Sequence, residues 1–329
     1  MRRAGLVGAI SVIVLALLLP LVLTQPYLQH LLVASVINGI LAVSLGIVIG
    51  FLGELSLAHG AFYGIGAYTS ALLAKNFGVP FFLALPAGTL GAALAGFLIG
   101  IPALRLSGHY FAIATLGFQG IVILLITNLV EITRGPMGLS GIPPPGGIHL
   151  FGGGISFQTK TGFYYLSLSV LLITLWFTYN LMRSKFGQGF IAIREDPLLA
   201  ASVGIRTKRY RLLAFCVSAA FAGAAGSLYA HYTLFISPDS FNLGESVYIA
   251  TMVIIGGMGT IPGPLVGAVL LTTLPEMLRV AGGLQFVLYG LIAMIVVIFM
   301  PKGIVGMAAM YLRGQRDARI PAPGITPGG

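Results

Sequence analysis

The sequence predicts an all-α membrane protein of about ten transmembrane segments, some short or broken, in a single membrane domain over residues 1–329. Three observations predict it. Of 329 residues 57% are apolar and only 8% are charged, against roughly 25% charged in a soluble domain. The few charges are gathered between long charge-free intervals. The 46 glycines are about twice the usual share, as suits helices that approach closely in lipid. A single cysteine, Cys216, excludes an intramolecular disulfide and a cysteine-built metal cluster, and no metal or cofactor is expected.

A spanning helix needs about 20 residues without an unpaired charge. Ala4 to Gly53 is 50 residues long and is broken by Thr24-Gln25-Pro26 and by Gln29-His30, so it holds two helices. The apolar run of the first, Leu6 to Leu23, exceeds the roughly 7 to 15 residues of a signal-peptide core and is read as a retained helix. Leu55 to Ala74, Asn76 to Leu104, Leu106 to Val130, Thr161 to Met182, Leu212 to Pro238 and Val280 to Pro301 supply one crossing each. Ser246 to Pro275 supplies one or two.

The cations decide. With an N-terminus inside and two crossings in Ser246 to Pro275, fourteen of eighteen Lys and Arg lie inside, and only Lys75, Arg134, Lys160 and Arg279 lie outside. A single crossing leaves eleven inside. The positive-inside rule selects ten crossings with both termini cytoplasmic. The formal net charge of +10 is then an excess on the cytoplasmic face, with no basic domain for nucleic acid. The same topology makes 131–162 an outer loop, 183–211 a cytoplasmic loop and 302–329 a cytoplasmic tail.

Two apolar stretches are irregular. Gly53-Glu54-Leu55-Ser56-Leu57-Ala58-His59-Gly60 mixes small residues with an acid and a histidine, and Gly256-Gly257-Met258-Gly259-Thr260-Ile261-Pro262 interrupts its interval. Broken backbone at membrane depth is tolerated where protein or a water-filled cavity surrounds it, and paired interruptions point to a substrate path. Glu54, Ser56, His59, Gly256, Gly257 and Gly259 are therefore candidate path residues. The alternative reading is close packing for the glycines and a solvated boundary acid for Glu54. His231, near the outer end of its helix, reads as interfacial. Neither a dinucleotide fingerprint nor a P-loop is present, so the chain is expected not to hydrolyse ATP.

Within 183–211, Asp196 followed by Pro197 is a helix start, and Gly204 suits the position past its end. Upstream, Phe186, Phe190 and Ile193 share one helical face. That face either lies on the bilayer, held through anionic lipid by Lys185 and the Arg206 to Arg211 cluster, or couples to a soluble motor subunit. The outer stretch from Glu131 to Lys160, rich in Gly and Pro, is expected to lack regular structure and to act as a receptor-docking surface or a simple tether.

The chain resembles the LivM-type permease subunits of bacterial ABC importers for branched-chain amino acids, from about Val33 to about Pro301. The matching pieces begin with Gly53 to Tyr68, Gly108 to Gly117 and Ile132-Thr133-Arg134-Gly135-Pro136-Met137-Gly138-Leu139. They continue with Ile193-Arg194-Glu195-Asp196, Ala214-Phe215, Ala222 to Gly226, Ser237 to Phe241, and Gly256 to Thr260. The resemblance implies an inner-membrane subunit paired with a second permease in a pseudo-symmetric heterodimer. It also implies two ATP-binding-cassette subunits and a periplasmic substrate-binding protein as partners. The ATPase would meet Phe190, Ile193, Arg194, Glu195, Asp196, Pro197 and Gly204, and the receptor would meet Arg134 and Pro136. Glu54 stands where the family often has Gln, Ala58 where Gly is usual, Gln188 where Arg is common and Pro197 where an acid is frequent. Related permeases carry urea or short amides, so those substrates stay open. An ion-coupled secondary transporter would need intramembrane carboxylates, of which Glu54 is the main candidate. An intramembrane enzyme would need paired carboxylates, a metal-ligand cluster or an activated nucleophile, and none is apparent.

Overall fold

The computed structural model describes residues 14–150, 153–278 and 303–307, with Ser11 and positions 290, 291, 294 and 298–300. Within them the charge-free intervals are helices. Residues 14–22 are helical. Helix α1 (Pro26–Gly46) widens into a π-helical turn over Ile47–Leu52. It is followed by α2 (His59–Phe77), α3 (Phe81–Ala103), α4 (His109–Asn128) and the single turn α5 (Val130–Thr133). After the 131–162 loop come α6 (Lys160–Arg183), α7 (Lys185–Glu195), α8 (Pro197–Ser202) and α9 (Thr207–Thr233). The last are α10 (Leu243–Gly256) and α11 (Pro262–Met277). The span expected over 280–301 and the tail 302–329 lie, apart from the few positions named, outside the described residues.

Helix α1 is the axis of the bundle. In its most apolar window 83% of residues are buried inside the protein, against 22% for α3, which lies at the periphery of the bundle. Around the axis α2, α3 and α9 meet almost backbone to backbone. Ala84, Gly88, Ala92, Gly96 and Gly100 form a buried stripe at every fourth position of α3, the spacing that keeps one helical face. A methyl group at Gly66 would fall on the backbone of Gly223, and one at Gly226 on the carbonyl of Tyr63. In lipid, where apolar burial does not favour one helix pair over another, such close van der Waals contact holds the bundle together.

Five described helical segments are long and apolar enough to span: Pro26–Leu52, Phe81–Ala103, His109–Asn128, Lys160–Arg183 and Thr207–Thr233. The Ser246 to Pro275 interval forms two short helices instead. At about 1.5 Å per residue, α10 and α11 reach roughly 21 and 24 Å, less than a bilayer core of about 30 Å. The interruption at 257–261 is therefore a tight turn between short helices packed on each other, α10 and α11.

One expectation fails at the opposite end. The Glu131 to Lys160 stretch has regular structure. Strand β1 (Leu139–Ser140) pairs antiparallel with β4 (Phe235–Ile236), and β2 (Ile148–Leu150) pairs with β3 (Gly153–Ile155). The β1–β4 pairing needs a partner about 100 residues away in sequence, so composition conceals it. His231, near the outer end of α9, is 1% exposed, and its Nδ1 lies 2.8 Å from the Pro143 carbonyl, because the loop folds over the end of α9.

Candidate functional site

The irregular pieces and the amphipathic loop, far apart in sequence, converge at the Leu52 end of α1. The loop is built locally. Ser184 starts α7 by accepting the Phe186 N–H at 3.2 Å. Asp196 caps α8: its Oδ1 accepts the N–H groups of Leu198 at 2.8 Å and Leu199 at 3.0 Å, with Pro197 in the first turn. Gly204, with φ +88°, takes the left-handed conformation beyond the end of α8. Phe190 and Ile193 are buried with Ile47 and Leu52 of α1, Ala200 of α8 and Ala214 of α9. Each such burial is worth roughly 1.5–3 kcal/mol, enough to hold helices too short to persist alone in water. Phe186 stays at the margin, 5.3 Å from the Tyr210 ring.

The apolar face of α7 is thus covered by the chain's own membrane helices. Helix α8 turns the other way, exposing Leu198, Leu199 and Val203 by 83, 64 and 71%. From sequence, a helix this short needs a surface to dock on, either its own membrane domain or a partner; in the structure it buries only Ala200.

Arg194 joins this loop to both irregular stretches. Its Nη1 donates to the Gly50 carbonyl in the π-helical turn at 2.6 Å. Its aliphatic part lies over Gly53, where an added Cβ would be 2.8 Å from Arg194 Cγ, and its guanidinium is 3.0 Å from the Cβ position of Gly259. Side chains at Gly53 or Gly259 would occupy the space of the arginine. Beside it, Glu54 and Arg211 form an ion pair in which each side chain is 12% exposed, so Glu54 is not a freely solvated boundary acid. Arg211 also donates to the carbonyls of Leu104 and Leu106, at 3.3 and 2.9 Å. Burial raises the Glu54 carboxyl above the ordinary carboxylate range, against the opposing pull of Arg211.

Ser56 and His59 lie inward of this junction, fully or almost fully buried. His59 Nε2 is 3.1 Å from Ser44 Oγ on α1 and 3.3 Å from Ser218 Oγ on α9. The start of α2 has no side-chain cap of its own. Its free N–H groups are taken by other helices: Ser246 Oγ accepts from Gly60 at 2.8 Å, and Gln119 Oε1 accepts from Ala61. Thr115 Oγ1 accepts the Leu57 N–H at 3.0 Å. Leaving such groups unpaired in the bundle would cost about 1–3 kcal/mol each. Ser44, Thr115, Gln119, Ser218 and Ser246 were not visible as site residues because their partners come from other helices.

Gly256 is a contact point, since a Cβ there would strike the carbonyl of Gly263 across the α10–α11 turn. Gly257 and Gly259 take positive φ, 128° and 77°. Thr260 Oγ1 closes the turn by donating to the Gly257 carbonyl at 3.0 Å and accepting the Gly263 N–H at 3.1 Å. Arg134 and Pro136 lie at the other end of the molecule. Arg134, at φ +65°, ends α5, and Pro136 follows in a 3₁₀ turn. Nearby, Lys75 Nζ donates to the Ser140 carbonyl at 2.5 Å.

Residues 27–301 match the protein family described as branched-chain amino acid transport system / permease component. The chain is 37% identical over 300 residues to the high-affinity branched-chain amino acid transport system permease protein LivM of Escherichia coli (strain K12), covering 85% of this chain and 70% of that relative. The LivM protein of Salmonella typhimurium (strain LT2) is 38% identical over 295 residues, covering 83% of this chain and 69% of that relative. The permease protein LivH of the same Salmonella strain is 27% identical over 286 residues, covering 81% of this chain and 90% of that relative. No solved structure matches the chain.

Proposed function

From the premise that this chain belongs to the family of branched-chain amino acid transport system permease components, we propose that it is the membrane-spanning subunit of an ATP-driven importer of branched-chain amino acids. It has about ten segments in the bacterial inner membrane and both termini in the cytoplasm. Its partners are a second, homologous permease, two ATPase subunits and a periplasmic receptor. The similarity to both LivM and LivH relatives supports a heterodimer of related permeases.

The observation that carries the reading is the position of Arg194. The loop that it belongs to exposes an apolar knob, Leu198, Leu199 and Val203, and Arg194 reaches back to Gly50 and Gly259. The ATPase receives that knob together with Glu195, Asp196, Pro197 and Gly204. When ATP binding moves α8, α7 moves with it through Phe190 and Ile193. Arg194 then pulls on the π-helical end of α1 and on the 257–261 turn. Differential contact of this kind with two states is what coupling requires. Glu54, Ser56, His59, Gly256, Gly257 and Gly259 mark the cytoplasmic end of the substrate path. Arg134 and Pro136, on the braced outer loop, receive the substrate receptor. The chain itself hydrolyses no ATP.

The test is uptake of radiolabelled leucine into vesicles containing this chain, the second permease and the ATPase subunits, with receptor outside and ATP inside. Uptake that requires all of these is expected. Uptake by this chain alone under a proton or sodium gradient would overturn the proposal, and uptake of urea or a short amide in place of leucine would overturn the substrate.

A further inference from the structure

Where the end of α3 meets the start of α9, outside the junction described above, there is a cavity of about 260 Å³. It is lined by Arg105, Lys208 and Arg209 together with Gly100, Ile101, Leu104 and Leu212. The cavity depends on close approach of the two helices, since a Cβ at Gly100 would lie 2.6 Å from Leu212 Cδ1. Among the described residues, no carboxylate pairs with any of the three cations, and the nearby acid Glu54 is engaged by Arg211.

Leading into this basic pocket is an apolar track. Leu90, Leu94, Leu98 and Ile101 lie on one face of α3 and are 69, 59, 60 and 47% exposed. Three cations at the end of an apolar strip of this length suit an amphiphile with an anionic head and a long hydrocarbon chain. A free anion would leave the track unused, and an acidic protein surface would leave both the track and the apolar lining unfilled. Basic pockets between membrane helices near the bilayer surface are suited to anionic headgroups.

We infer that this pocket is a binding site for the phosphate headgroup of an anionic phospholipid whose acyl chain lies along α3. The site stands on its own geometry and is independent of the transported substrate.

Native mass spectrometry of the full chain, purified in mild detergent, tests it. The probes are phosphatidylglycerol, phosphatidylcholine with the same acyl chains, and inorganic phosphate. One phosphatidylglycerol is expected to be retained in preference to phosphatidylcholine, with millimolar phosphate unable to displace it. Retention should weaken by about fivefold for each cation removed in Arg105→Gln, Lys208→Gln and Arg209→Gln. The charge-keeping variant Lys208→Arg should retain the lipid. Ile101→Trp, which adds bulk to the apolar lining without touching charge, should reduce retention too, so that loss of folding in the triple glutamine variant would not decide the outcome. Equal retention of the two lipids, or displacement by inorganic phosphate, would overturn the inference. So would a triple variant that keeps its lipid while ceasing to copurify with ATPase subunits, which would make the patch a protein contact.

Discussion

The α2–α3–α9 packing and the α7–α8 junction hold helices together in opposite ways. In the first, Gly66 meets Gly223 and Gly226 meets Tyr63 with no side chain between them. In the second, the loop is held by two buried apolar side chains and by one long cation that reaches Gly50 across 144 positions of sequence. Backbone contact leaves nothing to adjust, because a shift of even a fraction of an ångström produces a clash. A guanidinium on a flexible stem can follow its acceptor or release it. The rigid region therefore frames the bundle, and the side-chain-linked region is where displacement can enter.

The largest expected effect breaks the rigid side. Gly66→Leu places a branched side chain on the Gly223 backbone; overpacking typically costs about 1–3 kcal/mol, and more where nothing can yield. Folded protein should not be recoverable by size-exclusion chromatography, and a normal elution profile and melting temperature would refute the contrast. Next comes the brace. Arg194→Ala should leave the melting temperature within a few degrees of the wild type while ATP-driven uptake falls roughly tenfold, in the range of ordinary coupling energies. If thermal stability fell as far as uptake, Arg194 would be merely structural. Leu199→Glu puts a charge on the exposed knob, away from the buried face. ATPase association is expected to weaken by about 2 kcal/mol, as at an interface hot spot, with no change in permease stability, measured by titration in detergent. The smallest effect is at the cap. Asp196→Ala removes two N–H acceptors from α8 at a cost of about 1 kcal/mol to that helix. Asp196→Asn should restore most of the ATPase affinity lost in the alanine variant.

The legible features were those whose cause lies within a few neighbours or in the preference for lipid over water. The helix over Phe81–Ala103, and the part of Thr207–Thr233 from Leu212 on, follow from intervals without charge, and the start of α8 follows from Asp196-Pro197 alone. The break at Gly256 to Thr260 was legible as a break, but the shortness of α10 and α11 was not. The same apolar interval satisfies lipid whether it makes one full span or two short helices buried against α1 and each other.

Among the site residues the division is similar. Phe190 and Ile193 were placed on one face by their spacing, yet spacing could not say whether the bilayer, a partner or the chain itself covers that face. The burial of His231 was not legible, because it depends on a loop that crosses back over α9. Composition and local spacing are enough to say where the chain prefers lipid, where short helices begin, and on which helices the cations lie. Those properties are set by transfer free energies and local hydrogen bonds. That Arg194 meets Gly50, that Glu54 meets Arg211, and that Arg105 shares a pocket with Lys208 and Arg209 emerges only when the helices pack. Such pairings depend on which distant backbones can approach, and here the glycine contacts between helices set that approach.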